Sequence, residues 1–130
     1  MSKRKHLLLV ALSVAACLLT FTPAAEAASG PRLVVNEPFE FNYNGCRMRI
    51  QGGNYLATAY INMRSLNGAC EFWGEVTGYS NGNYKTVSTR KGSGVDYVSK
   101  STGTYYSVLC IRYWVTAVYT GTTMSETRCI

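Results

Sequence analysis

Histidine is almost missing from this 130-residue chain, the single one being His6 near the start. Without a later imidazole, the chain has no Ser-His-Asp or Cys-His relay and no His-containing zinc site beyond that first stretch. Charge is scarce as well. Only 15% of residues are charged against 47% apolar, which excludes an acidic or polar disordered chain. No CxxC pair occurs, and the gaps between Cys46, Cys70, Cys110 and Cys129 are 24, 40 and 19 residues, without the paired short spacings of a four-cysteine zinc site. No GxxxxGK[ST] is present, and Gly92-Ser93-Gly94 leads into Val95-Asp96 with no helical pattern, so no phosphate-cradling loop is expected. No cofactor and no metal are expected on these grounds. The longest uncharged apolar run, Leu7 to Phe21, is fifteen residues, short of the roughly 20 needed to span hydrocarbon. Arg112 interrupts the next candidate, Tyr105 to Tyr119, so no transmembrane segment is expected.

What is present begins with an address. Lys3, Arg4 and Lys5 precede the apolar run, Pro23 ends it, and Ala25-Glu26-Ala27 supplies small residues for cleavage. This is the three-part layout of a secretory signal over residues 1–27, leaving a single secreted domain over 28–130. A competing reading is bacterial lipid anchoring at Cys17, because Val14-Ala15-Ala16-Cys17 is lipobox-like; Leu18, Leu19 and Phe21 directly after it argue against that. Taking 27 residues from 130 leaves 103, with ten bases, six acids and a net charge of +4. Five cysteines become four, and an even number in a small secreted chain reads as two disulfides among Cys46, Cys70, Cys110 and Cys129.

Ten Tyr and twelve Gly lean toward strands and tight turns. From Leu33 onward the apolar pattern has period two, and Asn44-Gly45, Gly52-Gly53, Asn67-Gly68 and Asn81-Gly82 are each two-residue hairpin signals. A corner at 44–45 sets Tyr43, Phe41 and Phe39 against Cys46, Met48 and Ile50, all on one apolar face. Corners at 52–53 and 67–68 keep that face inward, aligning Ile50 with Tyr55, then Met63 with Phe72 and Ala59 with Val76. A corner at 81–82 opposes Val76 to Val87 and Tyr79 to Tyr84. Short strands at 95–100 and near 122–129, and a long central strand within 105–119, complete about eight. The expected fold is all-β: an antiparallel two-sheet sandwich or small closed barrel built from a hairpin meander. In this register Cys46 and Cys70 are offset by roughly 20 Å along the strands. That favours bonds from each of them to the C-terminal half, with the sequential pattern left open.

The same register defines an outward face. Glu71 falls opposite Arg64, Trp73 opposite Asn62 and Arg90, and Glu75 opposite Tyr60. An exposed Trp ringed by Tyr, Asn, Glu and Arg is suited to partner binding, because such side chains combine rigid area with oriented hydrogen bonds. The candidate ligand-binding residues are therefore Tyr60, Asn62, Trp73, Glu75 and Arg90, while Tyr113 and Trp114 are assigned to the core. Glu71 and Glu75 form a poor pair for glycoside hydrolysis, since Cα atoms four residues apart on one strand are roughly 13 Å apart.

Four cysteines, strand-rich composition and an end at Arg128-Cys129-Ile130 are similar to the small secreted β-sandwich inhibitors of α-amylase from actinomycetes. Their Trp-Arg-Tyr turn between the first two cysteines is absent, Arg112-Tyr113-Trp114 lying in a strand instead, and no residue role carries over. The sequence thus leads to a secreted, non-enzymatic binding domain for a polysaccharide, an anionic cell-wall polymer or a protein. A small cationic secreted effector or antimicrobial is the alternative. Nucleic acid is not an expected partner, because the bases are scattered and the destination is extracellular.

Overall fold

A computed structural model describes residues 31–130. The expected signal segment, residues 1–27, and Cys17 lie outside them. Among the described residues nine strands follow in chain order: β1 (Phe39–Tyr43), β2 (Cys46–Tyr55), β3 (Thr58–Ser65), β4 (Cys70–Ser80), β5 (Asn83–Ser88), β6 (Gly92–Ser93), β7 (Tyr97–Ser101), β8 (Ser107–Ala117) and β9 (Thr122–Cys129). A four-stranded sheet has the order β1-β2-β3-β7. A five-stranded sheet has the order β5-β4-β8-β9, with β6 also paired to β4. All pairings are antiparallel, and the two sheets pack face to face without closing into a barrel.

Period-two alternation places Met48 and Ile50 of β2, Ile61 and Met63 of β3, Phe72 and Val76 of β4, and Ile111, Tyr113 and Val115 of β8 between the sheets, all fully buried. Phe39 and Phe41 close one side of this core, with ring centroids 5.8 and 5.7 Å from that of Tyr113. The corners at Asn44-Gly45 and Asn81-Gly82 are where the sequence puts them. Both residues of each have positive φ, as this hairpin turn requires. The β1–β2 register and the Val76–Val87 and Tyr79–Tyr84 pairs also match expectation. The long strand over 107–117 is central to its sheet, and its register against β4 slips once, at Thr77/Gly78.

Two expected corners are corrected. Gly52-Gly53 does not turn: β2 runs through it to Tyr55, and the chain reverses at Leu56-Ala57, with φ of 46° and 59°. The glycines instead admit close neighbours. A Cβ on Gly52 would meet Ile111 Cγ2 at 2.6 Å, and one on Gly53 would come 2.8 Å from the backbone nitrogen of Asn36. Because the true corner lies four residues on, an even displacement, Ala59, Ile61 and Met63 keep their inward phase.

Asn67-Gly68 is not a hairpin either; it carries the chain from one sheet to the other. The Asn67 side chain is taken up elsewhere, donating to Gly45 O at 2.6 Å and accepting from Arg47 N at 3.1 Å. β3 pairs with β7 and faces β4 across the core. The crossing brings Cys70 above Cys46, and these two form a disulfide with Cα atoms 5.2 Å apart, so the expected bonds to the C-terminal half do not form. Cys110 and Cys129 pair across neighbouring strands β8 and β9. Two disulfides in a small β domain fit an extracellular location.

Candidate functional site

Placing β3 and β4 in different sheets divides the five candidate residues between opposite outer surfaces. Tyr60 and Asn62 face outward from the four-stranded sheet, Trp73 and Glu75 from the five-stranded one. Trp73 is therefore not opposite Asn62, nor Glu75 opposite Tyr60. Their ladder partners are Trp114 and Arg112. Trp73 does look outward and Phe72 inward, as the strand phase requires.

On the five-stranded sheet, the indoles of Trp73 and Trp114 are parallel to within 7°, with centroids 5.5 Å apart. Lys91 Nζ stands 5.9 Å over Trp73, and Arg112 Cζ stands 4.6 Å over Trp114. Each ring thus has both a cation and the other indole as close neighbours, contacts favoured by the ring quadrupoles. Glu71 is tied to Lys91 at 3.1 Å, not to Arg64. The faces a ligand would stack on are partly occupied by the protein's own side chains. The assignment of Trp114 to the core is corrected, although the signal was present: Arg112 and Thr116 share its phase, while Tyr113 and Val115 share the buried one.

Arg90 does not reach Trp73. Its Nη1 donates to Asp96 Oδ2 at 2.6 Å and its Nη2 to Asp96 Oδ1 at 2.9 Å, with a further bond to Tyr97 O. The guanidinium, through its hydrogen bonds, holds the Asp96 carboxyl below its ordinary range. This fork fastens the 90–96 loop to the start of β7.

The outer surface of the four-stranded sheet holds an open groove of about 400 Å³, lined by Gln51 and Tyr55 of β2, Thr58, Tyr60 and Asn62 of β3, and Ser99 and Ser101 of β7. A second hollow of about 230 Å³ shares Gln51 and Asn62 and continues to Arg49, Arg64 and Tyr97. Adjacent strands and period-two alternation put these side chains side by side. Asn36, in a left-handed conformation with φ 65°, organises the floor. Its Oδ1 accepts from Tyr60 Oη and Asn54 N, each at 2.9 Å, and its carbonyl accepts from Gln51 Nε2 at 2.7 Å. Asn62 Oδ1 accepts from Ser99 Oγ at 2.6 Å. Gln51 is left with its oxygen to accept and Asn62 with its amide hydrogens to donate. Burial, with Tyr97 alongside, holds the Tyr60 phenol above its ordinary range, so it remains a donor. Gln51, Tyr55, Thr58, Ser99 and Ser101 were absent from the sequence-derived site. Gln51, Tyr55 and Thr58 join through the β2–β3 register set by the corner at 56–57, and Ser99 and Ser101 through the β3–β7 pairing, which no local pattern announces.

No family model matches the chain, and no curated protein or solved structure resembles it closely enough to imply kinship.

Proposed function

We propose that this is a secreted, non-catalytic binding domain that holds a polysaccharide chain in the groove on the outer surface of the four-stranded sheet. The observation that carries this reading is the fixed pairing of a donor amide, Asn62, with an acceptor amide, Gln51, beside a run of hydroxyls. Neighbouring sugar hydroxyls each donate and accept, and such a lining answers both roles without rearrangement. The Tyr55 ring, 68% exposed at the groove's end, supplies the apolar surface on which a pyranose stacks. The basic start and apolar run of residues 3–21 support export, as do the two disulfides.

Retention of the protein on insoluble polysaccharides and cell walls, read across variants, tests the proposal. Asn62→Ala and Gln51→Ala are expected to lower affinity about tenfold each, the equivalent of one or two hydrogen bonds, whereas Trp73→Ala leaves retention unchanged. Loss of retention in Trp73→Ala with Asn62→Ala unaffected would move the site to the other surface. Inhibition of bacterial growth without retention would replace binding by a cationic effector role.

A further inference from the structure

The far end of the groove is not neutral. Arg49 and Arg64 are direct partners in the β2–β3 ladder, which sets their Cβ atoms about 4.5–5.5 Å apart. Like charges so placed destabilise a sheet. Arg47, two residues along β2, adds a third guanidinium to the same surface. The counter-charge is small: Glu40 Oε1 lies 3.9 Å from Arg49 Nη1, with both side chains about half exposed. Tyr97, the β7 partner of Arg64, is preceded by Asp96, but both oxygens of that carboxylate are held by Arg90. Among the described residues, no carboxylate is paired with Arg64. A repulsive pair is thus kept at the mouth of a polar groove while the adjacent carboxylate is tied away from it.

The geometry points to an oxyanion subsite here: Arg49 and Arg64 together clasp a carboxylate or phosphate carried by the polymer whose neutral part lies along Gln51 and Asn62. Only the second half of that statement rests on the groove reading above. Two planar guanidinium forks converging on one group supply charge-assisted, paired hydrogen bonds, and the bound anion removes the repulsion between them.

The test is a ¹H–¹⁵N titration of the protein with inorganic phosphate and, separately, with glucuronate, following the arginine Nε–H resonances. Those of Arg49 and Arg64 are expected to move along one saturating curve while those of Arg112 and Arg128 stay in place. Arg64→Gln should weaken both anions about tenfold, and Arg64→Lys should recover part of that loss. Tighter binding of glucuronate assigns the subsite to uronate-bearing chains, and tighter binding of phosphate assigns it to phosphate-bearing ones. Equal, non-saturating shifts at every arginine, or anion binding unchanged in Arg64→Gln, would overturn the inference. Asn62→Ala separates the two ideas. Anion binding that survives there, with glycan retention insensitive to Asn62, leaves the subsite standing and removes the groove. Glycan retention that needs Asn62 but not Arg64 does the reverse.

Discussion

Replacing Gly53 by Ala probes the link between the fold and the groove. The Gly53 backbone is not in the left-handed region, so alanine meets no conformational penalty and the effect is one of space. The new methyl would lie 2.8 Å from Asn36 N and 2.8 Å from Asn36 Cγ. The backbone nitrogen cannot swing aside, because it donates to Gly52 O at 3.0 Å. Relief therefore displaces Asn36 and gives up that bond with the three its side chain and carbonyl accept from Asn54, Tyr60 and Gln51. Four partly solvated bonds at about 0.5–1 kcal/mol each amount to about 2–4 kcal/mol, in line with about 1–3 kcal/mol for overpacking. In a domain near 100 residues, each kcal/mol lowers Tm by about 4–8 °C. Thermal unfolding followed by circular dichroism should show a fall of about 8 °C or more, with groove affinity lost even well below the transition. Adding Asn36→Gly should recover part of the stability, since glycine accepts the φ of 65°, but not the affinity, because Tyr60 and Gln51 stay unanchored. A Tm within about 4 °C of the parent would refute the reasoning.

Leu56→Asn with Ala57→Gly should stabilise the domain by about 1–2 kcal/mol in urea titrations. The change gives the β2–β3 corner the Asn-Gly pair used at 44–45 and 81–82, relieves two positive-φ residues, and sacrifices no burial, Leu56 being 78% exposed. Double alanine replacement of Cys46/Cys70 or of Cys110/Cys129 should each lower stability by about 3 kcal/mol, since loops of 24 and 19 residues differ little in closure entropy; a negligible effect of either would contradict the loop-entropy account. Burial, and then the hydrogen bond to Glu126, raise the Tyr113 phenol above its ordinary value of 10.0. The stabilising contribution is complete below that pH and is lost as the solution passes upward toward the folded-state value, by at most about 1.4 kcal/mol per pH unit. Urea midpoints between pH 9 and 11 should fall in the parent and fall less steeply in Tyr113→Phe, where the raised Tyr60 phenol still contributes. Trp73→Ala should lower stability by about 1 kcal/mol through loss of the stacked pair, and denaturant midpoints measure it.

Side-chain phase and the Asn-Gly corners were legible from the amino-acid order because both are local. A strand's inward residues follow from alternation along a few positions, and Asn-Gly takes up left-handed φ at two adjacent residues at little cost, as it does at 44–45 and 81–82. Hence Phe72 inward and Trp73 outward were readable, as were the 44–45 and 81–82 hairpins. Which strands become neighbours is not local. Gly52-Gly53 carries the same letters whether it turns or admits Ile111 and Asn36, and Asn67-Gly68 whether it closes a hairpin or crosses between sheets. Those choices belong to the packing of two apolar faces against each other and to the Cys46–Cys70 bond. Only the tertiary structure could set Tyr60 and Asn62 apart from Trp73 and Glu75, and bring Gln51, Asn62 and Ser99 into one groove.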